Sequence, residues 1–271
     1  MMPRLKLPKH TMQPMANIAL RTARQASTHI SRAFDRPDLL KISEKAHNDF
    51  VTNVDREVEY LIVEALKTTY PDHNITGEES RNNQVHEDAE YEWIIDPIDG
   101  TLNFLRQVPH FCVSIACLHK GKLEHGVIVD PMRNEEFVAS RGQGCQLNGH
   151  RVRVSPKEEL DGAMIATGGP IPDPDAQSQL YAQMLHEKTK VRHTGSACLD
   201  LAYVAAGRMD ALWLHDLKPW DLAAGVLMLS ESGGLIGDFA GGAEYMKSGN
   251  IVAGTPKCFK GLAPLVRKFL A

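Results

Sequence analysis

Glu92-Trp93-Ile94-Ile95-Asp96-Pro97-Ile98-Asp99-Gly100-Thr101 is the segment from which the rest of the chain can be read. Residues 92–95 read as a short apolar strand, closed by Asp96-Pro97. Two carboxylates three residues apart then stand at the strand's C-terminal end. Pro97 fixes φ and withholds a donor, which makes the turn rigid. Gly100 permits a tight backbone and close approach of a ligand. Thr101 opens 102–105 as the start of a helix, where free N–H groups can meet an anion. Carboxylates beside anion-binding amides suit Mg²⁺, which takes hard oxygen ligands together with phosphate oxygens. Taken alone, an Asp-x-x-Asp-Gly run is more often a plain turn, because both residue types favour turns.

N-terminal to this segment, Met15, Ile18, Ala19, Thr22, Ala26, Ile30 and Ala33 recur at helical spacing over 14–33. Arg36-Pro37 ends that pattern. Val54, Val58, Leu61, Ile62, Ala65 and Leu66 repeat it over 52–69, with Thr52 as N-cap and Asp55 in the first turn. A short strand at 73–76 then leads into Gly77-Glu78-Glu79-Ser80. On the C-terminal side, 111–118 reads as a buried strand. It continues through Gly121-Lys122 into 123–129, then 135–140, with Asn148-Gly149 as a tight turn between 145–147 and 152–154.

The second half alternates, with strands at 163–167, 210–214, 235–237 and 251–253 and helices at 176–187, 197–206, 220–232 and 257–270. That alternation indicates an α/β layer. The expected organisation is a flexible extension at 1–13, an N-terminal α+β subdomain at 14–155 and a C-terminal α/β subdomain at 156–271. The polar stretch 81–89 is the expected mobile loop.

Bulk composition excludes several classes. With 271 residues, 43% hydrophobic and 24% charged, the chain is of ordinary globular type. A net charge of -4 draws it neither to nucleic acid nor to an anionic membrane. No apolar run approaches the roughly 18 residues of a membrane span. The basic start (Arg4, Lys6, Lys9, His10) lacks the apolar stretch of a secretory signal. Cys112, Cys117, Cys145, Cys198 and Cys258 are odd in number and show no C-x-x-C spacing. They read as free thiols in a reducing compartment, neither a disulfide framework nor a zinc site.

Three motifs in order carry a resemblance: Gly77-Glu78-Glu79-Ser80, the run from Asp96 to Phe104, and Trp220-Asp221-Leu222-Ala223-Ala224-Gly225. Alone, Asp221 is a helix-start aspartate and Glu78 an acidic turn. Together they resemble the inositol monophosphatase family, from Lys45 and Thr52-Asn53-Val54-Asp55 through Gly233-Gly234. The resemblance implies a layered αβαβα sandwich of the inositol monophosphatase and fructose-1,6-bisphosphatase type, with the site between the subdomains. It also implies a cytoplasmic, lithium-sensitive homodimer. The implied activity is Mg²⁺-dependent hydrolysis of a phosphate monoester, inositol 1-phosphate first among them.

Residue by residue, it implies that Glu78, Asp96 and the Ile98 carbonyl hold a first Mg²⁺ and that Asp96, Asp99 and Asp221 hold a second. A weaker third ion would engage Glu78 through water. Asp55 and Thr101 would orient and deprotonate the attacking water, with Asp99 counted among the catalytic groups. The amides of Gly100 and Thr101 would bind phosphate, and Gly195, Ser196, Ala197 and Asp221 would contact the substrate. Lys45 loosely matches a mobile-loop lysine.

One departure stands out. Many inositol-cleaving members place a Glu six residues before the tryptophan, where this chain has Leu214. Leucine cannot accept a hydroxyl proton, and such bonds discriminate strongly. Related monoesterases acting on histidinol phosphate, fructose 1,6-bisphosphate or a 3′-phosphoadenosine nucleotide therefore stay open. So does the role of some bacterial members as antitermination factors. That role would run through protein contacts with the transcription machinery, because no basic RNA-binding stripe is present.

Overall fold

The two helical patterns form α1 (Pro14–Phe34) and α2 (Asn53–Thr69), each within a residue of its expected bounds. Thr52 caps α2, its hydroxyl accepting from the amides of Val54 and Asp55. Asp55 completes the capping box by accepting from the Thr52 amide at 2.8 Å. Between the helices runs a hairpin that hydrophobic periodicity did not reveal, β1 (Ile42–Ala46) and β2 (Asp49–Thr52). The computed structural model describes residues 12–46, 49–80, 85–169 and 173–271, and the side chains of 44–50 are not among those described. The expected extension at 1–13 therefore lies outside the described residues up to position 11, and the expected mobile loop lies outside them at 81–84.

A seven-stranded sheet follows, in the order β3 (Asn74–Gly77), β4 (Tyr91–Asp99), β5 (Cys112–His119), β6 (Lys122–Asp130), β7 (Glu135–Ser140), β8 (Gly144–Leu147) and β9 (His150–Val152). The first pair is parallel and the others antiparallel. A short helix, α3 (Thr101–Leu105), joins β4 to β5. Both sheet faces are covered. Trp93, Ile95, Val113, Ile115 and Val127 pack with α1 and α2, while Ile94, Cys112, Ala116 and Ile128 belong to the core on the opposite face. This double burial explains why these strands read as continuous apolar runs rather than as alternation.

The second half builds a five-stranded mixed sheet in the order β11 (Lys190–His193), β10 (Met164–Gly168), β12 (Ala211–Leu214), β14 (Ile251–Gly254) and β13 (Leu235–Gly237). The strand β11 and a short helix, α7 (Tyr245–Ser248), were not expected. The helices α5 (Ala197–Ala205) and α6 (Pro219–Ser232) lie between the two sheets. The helices α4 (Pro174–His186) and α8 (Pro256–Leu270) cover the outer face of the smaller sheet over Ile165, Trp213 and Val252. The layers are thus αβαβα, as expected.

Small residues let α6 into the middle layer. A Cβ on Gly225 would stand 2.4 Å from Leu201 Cβ on α5, so the two helices touch where Gly225 has no side chain. Gly225→Val should destabilise the fold by about 2–3 kcal/mol through overpacking. Gly121→Ala, in open space at a surface turn, should cost roughly 1 kcal/mol of backbone strain. Urea unfolding midpoints of the two variants check this ordering.

Candidate active site

Regular pleating would send Asp96 and Asp99 to opposite faces of β4, because they stand an odd number of residues apart. The strand avoids this by an irregularity. Its pairing with β5 slips between Asp96, opposite Ser114, and Asp99, opposite Cys112. Pro97, which has no amide to give the ladder, lies inside the slip. The strand therefore continues to Asp99 instead of ending at Ile95, and the bulge re-aims one carboxylate. Asp221 joins them from the first turn of α6, where its carboxylate accepts from the Lys218 amide at 2.7 Å. One carboxylate oxygen from each of Asp96, Asp99 and Asp221 lies within 4.8 Å of the other two.

Each of these groups is driven toward its neutral form. Burial is the main cause at Asp96, with the charges of Glu78 and Asp99 adding to it, and its pKa stands well above the usual carboxylate range. Burial also raises Asp99, against the hydrogen bonds it accepts. Burial, then Asp99, pushes Asp221 up to about 8. Asp96 Oδ1 is buried with no hydrogen-bond partner among the described residues. A polar oxygen in that position is costly unless something pairs with it. An orphaned oxygen inside an all-oxygen set fits a hard divalent cation.

Asp99 is the best anchored of the three. Its Oδ2 accepts from the Ser196 hydroxyl at 2.5 Å and the Cys198 amide at 2.8 Å, and Oδ1 accepts from the Ala197 amide at 3.3 Å. The expected substrate segment 195–197 thus faces Asp99 at the start of α5. Asn103 locks the approach, its amide donating to the carbonyls of His110 at 2.8 Å and Thr194 at 2.9 Å. Gly100 and Gly195 meet there, at φ 99° and 86°. A Cβ on Gly100 would stand 3.2 Å from the Gly195 carbonyl, and one on Gly195 2.9 Å from Asn103 Nδ2.

Asp55 and Thr101 also come together. Thr101 Oγ1 lies 3.3 Å from Asp55 Oδ1 and 3.0 Å from the Ile98 carbonyl, to either of which it can donate. The other Asp55 oxygen accepts from the Thr52 amide and hydroxyl. Burial, outweighing those bonds, lifts Asp55 to about 6.

Glu78 sits just outside the close set, near enough for its charge to raise Asp96 and Asp221. Its turn is held by a residue that sequence reasoning missed. Glu59, buried on α2, accepts from the Glu79 amide at 2.8 Å and from the Ser80 hydroxyl. Gly77 leaves room for it, since a Cβ there would be 2.4 Å from Glu59 Oε2. The signal was present: Glu59 stands four residues after Asp55, one helical turn along the buried side of α2. Leu214 is buried at the end of β12, within 3.4 Å of where a Cβ on Gly168 would stand. The nearby carboxylate of Asp216 does not take the place of the missing Glu; it pairs with Lys218 Nζ at 3.0 Å. The Lys45 side chain lies outside the described residues.

The family model for the inositol monophosphatase family matches residues 11–270. The chain is similar to Nus factor SuhB of Pseudomonas aeruginosa, 49% identical over 265 residues that cover 96% of this chain and 98% of that protein. To Nus factor SuhB of Escherichia coli it is 47% identical over 263 residues, with the same coverage. Among solved structures, the extragenic suppressor protein suhB from Bartonella henselae superposes with a TM-score of 0.92 at 37% identity, covering 94% of this chain and 99% of that one. The Thermotoga maritima IMPase does so with 0.86 at 31%, covering 95% and 98%. The chain belongs to the inositol monophosphatase family, and its fold is that of the family's phosphatases. No helix among the described residues is long and apolar enough to cross a membrane.

Two outcomes follow. Asp55 and Asp221 bind protons more tightly in the folded chain than in the unfolded one. Their stabilisation is complete below the unfolded carboxylate pKa of about 4 and is lost as pH rises through about 6 and about 8. In chelator the melting temperature should fall over that window, and the rise produced by Mg²⁺ should be larger at high pH than at low. Glu59→Ala should raise the Mg²⁺ concentration for half-maximal stabilisation by roughly tenfold, with Glu59→Gln closer to the parent. Thermal melts against Mg²⁺ measure both.

Proposed function

We propose that this protein is a Mg²⁺-dependent phosphatase acting on a small polyol or sugar phosphate monoester, with inositol 1-phosphate the first candidate. The observation that carries this reading is the close meeting of Asp96, Asp99 and Asp221, with an unpartnered Asp96 oxygen, beside the Asp55–Thr101 pair. Asp96, Asp99, Asp221, Glu78 and the Ile98 carbonyl would hold two or three Mg²⁺ ions. When bound, these would polarise the ester, stabilise the leaving oxygen and acidify a water. Thr101 Oγ1 donates to Asp55 Oδ1, which turns a hydroxyl lone pair outward to accept from the attacking water. Asp55, at about 6, is ionised at neutral pH and can take up that proton through Thr101. The Gly100 and Thr101 amides would bind phosphate oxygens, and the Gly195–Ala197 turn the substrate hydroxyls. Water adds to phosphorus, the ester P–O bond breaks, and the products are phosphate and an alcohol, with no covalent enzyme intermediate.

Leu214 argues for a substrate whose recognition does not need a carboxylate at that position. Related sugar, nucleotide and histidinol monophosphates are the alternatives within the same chemistry. A second reading draws on the relatives named Nus factor SuhB. Under it, the protein contacts the transcription machinery as an antitermination accessory while keeping the phosphatase site. A cytoplasmic homodimer is consistent with both readings.

Phosphate release should require Mg²⁺, with one clear favourite among inositol 1-phosphate, 2′-AMP, β-glycerophosphate, histidinol phosphate and fructose 1,6-bisphosphate. Folded protein that binds Mg²⁺ yet turns over none of them would favour the antitermination reading. Asp99→Asn should lower kcat by about a hundredfold or more, because it removes a negative ligand while leaving an isosteric side chain. Millimolar lithium should inhibit at saturating Mg²⁺, and unchanged turnover would count against the second ion position.

A further inference from the structure

Cys112 and Cys198 are far apart in the chain and show no metal-binding spacing, but the fold delivers both to the back of Asp99. Cys112 comes from β5 and Cys198 from the first turn of α5, and both are fully buried. Their sulfur atoms and one Asp99 oxygen all lie within 4.8 Å of one another. Cys112 Sγ is 3.7 Å from Asp99 Oδ2 and 3.9 Å from Ser196 Oγ, and Cys198 Sγ is 3.3 Å from the Asp221 carbonyl. A tetrahedral ion with bonds of about 2.0 Å to oxygen and 2.3 Å to sulfur has donor atoms roughly 3.3–3.8 Å apart. The 3.7 Å from Cys112 Sγ to Asp99 Oδ2 is such an edge, and the other two donor pairs lie within 4.8 Å, close enough for small shifts to bring them onto one ion.

We propose that Cys112, Cys198 and Asp99 form a second cation site, for a thiophilic divalent ion such as Zn²⁺ or Cd²⁺. The all-oxygen set of Asp96, Asp99 and Asp221 prefers hard ions, whereas two sulfurs with one carboxylate select softer ones. On binding, each S–H bond is exchanged for a metal–sulfur bond and two protons leave to solvent, with no change in oxidation state. Asp99 belongs to both sets, so a soft ion held by the thiols withdraws it from the hard set. Such an ion inhibits without displacing a hard ion from Asp96. The site itself rests on geometry; only the inhibition rests on the phosphatase reading.

The test is a Cd²⁺ titration of the full-length protein in excess Mg²⁺, following the ultraviolet thiolate-to-cadmium charge-transfer band together with phosphate release. The band should saturate near one equivalent and survive further Mg²⁺, with phosphate release falling over the same Cd²⁺ range. Cys112→Ser and Cys198→Ala should each lose much of the band and need about tenfold more Cd²⁺ to reach half of what remains. Cys117→Ala, on the same strand but away from Asp99, should leave the titration unchanged. No band in the parent protein at saturating Cd²⁺, a band removed by Mg²⁺, or an undiminished band in both site variants would overturn the proposal. The parent titration decides even where a variant does not fold. A saturating band in a protein without phosphatase activity would sustain this site and defeat the functional reading instead.

Discussion

Everything in this molecule is arranged around like charges that must be kept together. Asp96, Asp99 and Asp221 repel one another, and burial removes the water that would soften the repulsion. Left to itself, such a group would spread apart or take up protons. The protein prevents the first by covalent and hydrogen-bonded restraint: a bulge fixes two of the carboxylates, the Lys218 amide holds the third at the start of α6, and the start of α5 grips Asp99. A hard divalent cation would answer the second, and it would also pair the Asp96 oxygen that has no partner among the described residues.

The restraint is shared by both halves of the fold. Asn103 in the first half holds the Thr194 carbonyl in the second, and Gly100 abuts Gly195. The middle helices α5 and α6 are therefore more than filler between sheets. Their N-terminal turns carry Ser196 and Asp221 to the edge of β4, and their small residues let them come close enough to do so.

Much of this was legible in the sequence. Helical periodicity located α1 and α2, and the Thr52–Asp55 cap was readable from residue type and spacing. The two sheets were visible as separate patterns, while their stacking order came from the family resemblance. The edge strand β11 escaped notice because Lys190–His193 is largely solvent-exposed and carries no apolar alternation. The hairpin of β1 and β2 escaped because its sequence is polar and lacks a Gly-based turn signal. At the site, the motifs marked the carboxylates, but the bulge that aligns Asp96 with Asp99 is a property of the pairing with β5. Glu59 and the Cys112–Cys198 pair were missed for a related reason. Their meaning depends on what stands opposite them, and position along the chain does not show that.

The grip on Asp99 reaches across 97 positions of sequence, from the first half to Ser196. A ribosome emits the first half of this chain well before the residues that hold Asp99 exist outside the exit tunnel. Until the segments bearing Ser196 and Asp221 emerge, Asp96 and Asp99 stand on a sheet that α5 and α6 do not yet cover, still open to water. The assembled centre therefore forms only once synthesis has passed Asp221. A polypeptide released before Asp221, however well its seven-stranded sheet pairs, has no means of drawing the three carboxylates together.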